Sequence, residues 1–308
     1  MPRLSRRRFL LLGVGAGLAA MAPGRGRAST VTGSLAARAI PSTGEKIPIV
    51  GLGSARTFDV KPNGEAYASV REVIRRFERA GGRLVDTSPM YGNAERVIGE
   101  AADELELGSR LFFATKVWTR GEQSGVEQMA RSARRLGVTR MDLMQVHNLV
   151  DVETHLRTLR RWKEEGRVRY IGITHYTASA HDDLERIMRD QPLDFVQFNY
   201  SIAERHAEER LLPAARELGV ATLINEPFQT GWLFRRVRGV ELPGWADEFD
   251  CASWAQFFLK YILANAAVTC AIPATGDPNH LDDNMKAGVG RLPDEAQRRK
   301  MVRFMEQL

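Results

Sequence analysis

The sequence has little cysteine and no long apolar segment. Its 308 residues include two cysteines, Cys251 and Cys270, which are too few for a disulfide framework and lie in apolar contexts that favour buried free thiols. The histidines show no ligand spacing with cysteines or carboxylates, so we expect no metal site. The longest apolar stretch, about fourteen residues from Phe9, is shorter than the roughly 20 residues of a membrane span.

Outside its first residues the chain also lacks net charge. The formal charge is +6, with 44 Lys and Arg against 38 Asp and Glu, but residues 1–28 contain six arginines and no acid. The other 38 basic residues therefore balance the 38 acids. A neutral body leaves no electrostatic footprint for nucleic acid, so we expect no nucleic-acid partner.

The N-terminal arginines belong to a recognisable pattern. Ser5-Arg-Arg-Arg-Phe-Leu10 precedes a Gly/Ala-rich apolar stretch to Ala22, and Pro23-Gly-Arg-Gly-Arg-Ala28 follows. This pattern resembles a bacterial twin-arginine signal, with cleavage expected after Ala28. The resemblance implies a signal peptide at 1–28, export of the folded chain to the periplasm by the twin-arginine machinery, and no stable membrane anchor in the mature form. An uncleaved anchor or a chance basic terminus is the alternative.

Alternating segments predict the fold of residues 29–308. Eight β-like runs alternate with amphipathic helix-like stretches, which predicts a (β/α)8 TIM barrel. A hairpin that turns on Thr43-Gly44 is predicted to precede it. The predicted strands are 47–52, 83–86, 111–116, 141–147, 168–173, 194–198, 220–225 and 268–272. The predicted helices include 66–80, 122–136, 152–165, 204–218, 252–264 and 278–287, and a loop is predicted at 229–245.

Three consecutive β-like runs end in a polar residue. Asp86, Lys116 and His147 end the second, third and fourth runs, and Tyr91 follows Asp86 on a turn. Since active sites of such barrels form where the carboxyl ends of the strands converge, we expect these four side chains to face one mouth. A tyrosine, with a pKa of about 10, needs a nearby cation to lose its proton near neutral pH. A buried cation in turn needs a counter-ion, and Lys116 and Asp86 supply the two.

The order Asp, Tyr, Lys, His at strand ends resembles the tetrad of the aldo-keto reductase family, and the resemblance covers residues 38–308. It implies hydride transfer between NADP(H) and an aldehyde, a ketone or the corresponding alcohol by a monomeric enzyme. Tyr91 is then the general acid and Lys116 lowers its pKa. Asp86 holds Lys116 and reaches the nicotinamide ribose, while His147 donates to the substrate carbonyl. A non-catalytic nucleotide-binding barrel, acting as a sensing or assembly partner, is the alternative.

The same resemblance implies a set of cofactor-binding residues: Gly53, Ser54, Asp86, Thr174, His175, Gln197, Asn225, Pro227, Phe228, Thr275, His280 and Asn284. Gln197 is expected to bind the nicotinamide carboxamide. Asn225 stands where many members stack an aromatic ring on the nicotinamide. Ala274 and His280 stand where members often place a lysine and an arginine for the adenosine 2′-phosphate. We therefore expect NADP, with a weakened preference and with NAD as the alternative.

Aromatic residues in the predicted loops are candidates for a substrate-binding wall, and lid packing is the alternative account of them. They are Trp118, Phe228, Trp232, Phe234 and Trp245. The sequence does not identify the substrate.

Overall fold

The computed structural model describes residues 33–308, so the predicted signal peptide lies outside the described residues. The described part begins with a two-stranded antiparallel hairpin, β1 (Ala37–Ala39) and β2 (Lys46–Pro48). Its turn is closed by a 2.8 Å hydrogen bond from the Ile40 N–H to the Glu45 carbonyl. Gly44 has φ of +77°, a conformation that glycine adopts without steric cost. The predicted turn at Thr43-Gly44 is therefore confirmed.

Eight parallel strands follow and form one sheet in chain order. They are β3 (Leu52–Gly53), β4 (Leu84–Asp86), β5 (Phe112–Val117), β6 (Met141–His147), β7 (Val168–Thr174), β8 (Phe195–Asn199), β9 (Ala221–Asn225) and β10 (Cys270–Ala271). Parallel bridges join Val50 to Ala271 and Gly53 to Ala274, so the first and last strands meet. The sheet closes into the predicted (β/α)8 barrel.

Ten α-helices are present in the described part of the chain. They are α1 (Glu65–Arg79), α2 (Ala94–Glu104), α3 (Glu122–Leu136), α4 (Val152–Glu164), α5 (His181–Asp190), α6 (Leu211–Leu218), α7 (Trp232–Arg236), α8 (Trp254–Leu263), α9 (Pro278–Lys286) and α10 (Glu295–Glu306). The helices predicted at 66–80, 122–136, 152–165, 252–264 and 278–287 match α1, α3, α4, α8 and α9 to within two residues at each end.

Three predicted segments differ from the structure in their bounds or their type. The run 47–52 is divided between β2 and β3, because its first half pairs with β1 rather than with the barrel. The helix predicted at 204–218 begins only at Leu211, since Pro213 fits the first turn of a helix but not its interior. The segment 229–245 is not an open loop: it contains α7, in which Leu233 is buried, and short 3-10 turns on either side.

Two apolar clusters fill the fold, one inside the barrel and one between the strands and the helices. Ile40 and Ile47 of the hairpin belong to the inner cluster, so the hairpin closes the amino-terminal end of the barrel. Arg38 anchors the hairpin, because its guanidinium donates to the carbonyls of Leu263 at 2.6 Å, Asn265 at 3.0 Å and Val268. The positive charge of Arg38 also interacts favourably with the negative, carboxyl-terminal end of the α8 dipole.

None of the helices in residues 33–308 has the length and apolar character needed to cross a membrane. Cys251 and Cys270 are both buried and free.

Candidate active site

An ion pair between Lys116 and Asp86 lies at the centre of the site. The Lys116 ammonium on β5 donates to the Asp86 carboxylate at the end of β4, at 2.6 Å, and to the Thr87 carbonyl at 2.7 Å. Lys116 is 0% exposed and Asp86 is 3% exposed. Burial lowers the pKa of Lys116, but the Asp86 carboxylate raises it, and the net pKa is above the ordinary value. The ammonium therefore stays charged.

The second oxygen of Asp86 accepts hydrogen bonds from two amides. Gln197 Nε2 donates to Asp86 Oδ1 at 2.9 Å, and Gln145 Nε2 donates to the same oxygen at 3.4 Å. The Thr174 hydroxyl donates to Gln197 Oε1 at 2.8 Å. Both ends of the Gln197 amide are thus engaged, so this residue supports Asp86 in addition to its expected contact with a carboxamide. Gln145 was not predicted, although its position two residues before His147 places both side chains on one face of β6.

Tyr91 stands over the ion pair. The Lys116 Nζ lies 5.3 Å from the centre of the phenol ring, and the His147 ring meets it edge-on with centroids 5.9 Å apart. Burial raises the pKa of Tyr91, the Lys116 ammonium opposes this, and the Asp86 and Glu226 carboxylates add to it. The net pKa is above the ordinary value. Lys116 thus acts in the expected direction, but burial outweighs it, and the phenol holds its proton at neutral pH.

His147 ends β6 and is buried against the same group of residues. Burial lowers the pKa of His147 to about 2, and the charges of Lys116 and His175 act in the same direction. The imidazole is therefore neutral, and its Nδ1 lies 3.1 Å from the Ser88 hydroxyl. The structure thus brings Asp86, Tyr91, Lys116 and His147 together at one end of the barrel.

Several buried polar atoms at this end have no hydrogen-bond partner within residues 33–308. They are Ser54 Oγ, Thr87 Oγ1, Gln145 Oε1, Asn148 Oδ1 and Asn225 Oδ1. Unsatisfied buried polar atoms are costly, and each calls for an explanation. A carboxamide or ribose that reached these atoms would satisfy them, so the residues present fit the nicotinamide end of a dinucleotide. Asn148, which follows His147 directly, was not predicted.

The other residues predicted to bind the nicotinamide lie at the same end of the barrel. Gly53 closes the barrel: a Cβ there would lie 2.6 Å from the Ile272 carbonyl oxygen. Asn225 Nδ2 donates to the His175 carbonyl at 3.2 Å, which joins the end of β9 to the segment after β7.

The segment after β9 begins with Glu226, whose backbone is in a strained left-handed conformation. Glu226 has φ of +49°, and its side chain accepts from the Thr230 N–H at 3.0 Å. Pro227 is buried, whereas Phe228 packs on Phe234 and Phe258 with centroids 4.9 and 6.5 Å apart. Phe228 therefore belongs to an aromatic cluster. The Glu226 carboxylate also contributes to the raised pKa of Tyr91.

The predicted 2′-phosphate end already contains a carboxylate. Asp277 caps α9, and its Oδ1 accepts from the Asn279 N–H at 2.7 Å. This backbone bond, with a second from His280, lowers the pKa of Asp277. The Thr275 hydroxyl accepts from the Asp277 N–H at 3.1 Å, Asn284 is buried and His280 is exposed. A phosphate that approached this helix end would therefore meet a fixed like charge.

Exposed apolar side chains occur in the segments that follow the barrel strands. Of the seven exposed large hydrophobic residues in the described chain, five follow the carboxyl ends of barrel strands: Met90, Trp118, Tyr176, Trp232 and Phe234. We call these five residues the apolar rim. Tyr176 also stacks on the His175 ring, with centroids 5.4 Å apart and planes at 3°.

Residues 33–308 contain no group of three or more His, Cys, Asp or Glu side chains that could hold a metal ion.

The structure is thus a closed (β/α)8 barrel that gathers a buried lysine–aspartate pair, a protonated tyrosine and a neutral histidine at its carboxyl end. The sequence profile of the Aldo/keto reductase family matches residues 49–299. The chain therefore belongs to the aldo/keto reductase family.

Relatives agree with this assignment. Aldo-keto reductase YhdN of Bacillus subtilis (strain 168) is 28% identical over 200 residues, which are 60% of this chain and 60% of that protein. The chain thus matches about 60% of the length of this curated relative. Two solved structures share the fold. An aldo/keto reductase from Klebsiella pneumoniae, in complex with NADP and acetate, has a TM-score of 0.71 and 19% identity over 85% of this chain and 93% of that one. Aldo-keto reductase AKR11C1 from Bacillus halodurans, in its holo form, has a TM-score of 0.71 and 19% identity over 88% and 96%.

Proposed function

We propose that the chain is an NADP(H)-dependent oxidoreductase that transfers a hydride between the nicotinamide and an aldehyde, a ketone or the corresponding alcohol. The observation that carries this proposal is the buried Lys116–Asp86 pair beneath Tyr91. Desolvating two charges is expensive, and replacing such a pair by apolar residues is often neutral or stabilising. Its presence at the mouth, beside a protonated phenol, therefore supports a catalytic use.

Each side chain has a role in the reduction. Bound nicotinamide supplies the hydride. Tyr91, whose raised pKa keeps it protonated, donates its proton to the carbonyl oxygen as negative charge develops there. Lys116 stabilises the phenolate that remains, since its ammonium is fixed at 5.3 Å from the ring centre. Asp86 holds the ammonium, and neutral His147 donates a hydrogen bond that orients the carbonyl oxygen.

Polar residues at the carboxyl end of the barrel would hold the nicotinamide. Ser54, Asn148 and Asn225 offer buried polar atoms that have no partner within residues 33–308, and Thr174 and Gln197 are bonded to each other on the neighbouring strands β7 and β8. The NADP in the Klebsiella structure supports NADP as the cofactor. Asp277 opposes a 2′-phosphate, so we propose a small preference for NADP over NAD rather than an exclusive one.

The apolar rim supports a substrate with a bulky apolar or aromatic group beside its carbonyl. Large exposed apolar patches mark binding surfaces, and here five exposed apolar side chains lie in segments that follow the carboxyl ends of the strands. The Glu226 carboxylate, which acts on the pKa of Tyr91, disfavours anionic substrates.

We also propose that segment 1–28 directs export of the folded enzyme to the periplasm, and that the mature chain acts as a monomer without a membrane anchor. The ordering of basic and apolar residues in that segment supports the export part of this proposal. Cell fractionation of the native chain and of an Arg6→Lys/Arg7→Lys variant tests export, and light scattering of the mature chain tests the monomer.

A Tyr91→Phe variant tests the chemistry. We expect its kcat for an aromatic aldehyde with NADPH to fall by roughly 10²–10⁴-fold, while the NADPH affinity stays within a factor of two of the wild type. A wild-type protein that binds NADPH but turns over no carbonyl compound would favour the alternative, a non-catalytic nucleotide-binding barrel.

A further inference from the structure

Ser88 shares a short turn with the proposed general acid and contacts the histidine of the site. Its hydroxyl oxygen lies 3.1 Å from His147 Nδ1, and the Met90 N–H donates to it at 3.3 Å. Ser88 is 0% exposed and His147 is 5% exposed. No other hydrogen bond of this hydroxyl exists among residues 33–308.

The turn is fixed at both ends. The Thr87 N–H donates to the Ala114 carbonyl at 2.9 Å and extends the β4–β5 ladder by one residue. The Tyr91 N–H donates to the Ser88 carbonyl at 3.0 Å. Pro89 restricts both its own backbone and that of Ser88. The position of the Ser88 hydroxyl is therefore set by the backbone that also places Tyr91.

The direction of the Ser88–His147 bond follows from the number of protons available. A hydroxyl carries one proton, and the Met90 N–H can only donate to it. If His147 Nδ1 carried the imidazole proton, the hydroxyl would accept twice and its own proton would be buried without an acceptor. If Ser88 donates to Nδ1 instead, the hydroxyl proton has an acceptor and Nδ1 has a donor. Because an unsatisfied buried donor is costly, the second arrangement prevails.

We propose that Ser88 is a positioning residue that fixes His147 as the neutral Nε2–H tautomer. Nε2 has no hydrogen-bond partner in the described part of the chain, so its proton is free to meet a substrate oxygen. In the other tautomer a lone pair on Nε2 would face the lone pairs of the carbonyl oxygen, and orientation by His147 would fail. The catalytic meaning of this tautomer rests on the proposed function, whereas the tautomer itself does not.

The tautomer is measured directly by long-range ¹H–¹⁵N correlation spectra of histidine-labelled protein, without substrate. The His147 signals among the six histidines are assigned with a His147→Gln variant. We expect the wild type to show a protonated Nε2 and an unprotonated Nδ1. In Ser88→Ala we expect the Nδ1–H form to become populated and kcat/KM to fall about tenfold, the effect of one net hydrogen bond. Ser88→Cys, with a weaker donor, gives intermediate values of both quantities.

Ser132→Ala is the matched control, because Ser132 on α3 is also a buried serine but, unlike that of Ser88, its hydroxyl has no partner within residues 33–308. It should retain the wild-type tautomer and activity. An Nδ1–H tautomer in the wild type, or an unchanged tautomer in both Ser88 variants, overturns the proposal. A wild type with the expected tautomer and no turnover with either nucleotide instead contradicts the proposed function and leaves the role of Ser88 in setting the tautomer intact.

Discussion

Lys116 Nζ and Asp86 Oδ2 lie 2.6 Å apart, and both side chains are buried. Neighbouring strands supply the two residues, and the register that pairs Asp86 with Ala114 brings Lys116 within reach. The remaining oxygen of the carboxylate is bound by Gln197 and Gln145, so the negative charge is hydrogen-bonded on both oxygens. The site is thus organised around a fixed ammonium, and Tyr91 and His147 are placed relative to it.

Removal of one charge from this pair should destabilise the protein more than removal of both. In Asp86→Asn the buried ammonium is left uncompensated, and we expect the free energy of unfolding to fall by about 3–5 kcal/mol. The double variant Asp86→Asn/Lys116→Met should recover part of this loss, because no buried charge remains. Urea denaturation of the wild type, both single variants and the double variant gives the coupling energy. A purely additive double variant would contradict the assignment of a tightly coupled pair.

The sequence reveals three titratable members of this site because each of them ends an apolar run. Asp86, Lys116 and His147 stand out where hydrophobic residues stop, and one strand-end rule places them together. Gln145 does not stand out, because an amide inside an apolar run carries no chemical signal by itself. Its partner Asp86 lies 59 residues away, so the contact depends on the register of three strands.

Local composition also misleads where packing decides the structure. The Gly, Pro and Trp residues of 229–245 predict a loop, but the aromatic contacts of Phe228 and Phe234 with Phe258 stabilise short helical turns there. Composition is a better guide at α9, where Asp277 directly precedes Pro278 at the start of the predicted helix 278–287. The structure shows that the Asp277 side chain caps this helix.

His147 should make the protein sensitive to acid. Its folded-state pKa of about 2 lies below its ordinary value of 6.5, so below about pH 6.5 the unfolded chain binds a proton that the folded chain does not. This contribution to stability is therefore fully present above pH 6.5 and is lost as pH falls, at about 1.4 kcal/mol per pH unit. Urea denaturation between pH 7 and pH 4 should show a shallower decline for His147→Gln than for the wild type.

Other histidines contribute in the same direction, because burial also lowers the pKa values of His175 and His181. The comparison of His147→Gln with the wild type isolates the share of His147. His280→Gln, at an exposed position on α9, is the control and should follow the wild-type decline. Equal slopes for His147→Gln and the wild type would mean that the folded protein protonates His147 readily, and would remove the argument for a neutral donor.

Asp277 should set the ratio of NADP to NAD affinity. Asparagine caps helices as well as aspartate does, so Asp277→Asn removes the charge and keeps α9 capped. We expect NADP to bind on the order of fivefold more tightly and NAD to bind as before, since only NADP carries the repelled phosphate. Fluorescence titration with both nucleotides measures the ratio. Asp183→Asn, in the first turn of α5, is the matched control. Equal gains for both nucleotides would show that Asp277 does not face the 2′-phosphate.

Trp118 should select substrates by size and apolar character. It follows β5 directly after Lys116 and Val117 and is 42% exposed on the apolar rim. Trp118→Ala removes an aromatic surface that an aryl aldehyde covers and a two-carbon aldehyde does not reach. We expect KM for the aryl substrate to rise roughly tenfold while kcat changes little, because the lost contact is present in both the ground state and the transition state. The small aldehyde should be unaffected.

Leu218→Ala is the control for Trp118→Ala, because Leu218 is also an exposed large apolar residue but ends α6 instead of following a strand. It should leave both substrates unchanged. If Trp118→Ala lowers kcat for both aldehydes, Trp118 stabilises the strand that carries Lys116 and does not contact the substrate. That result would contradict the proposal of a bulky apolar substrate.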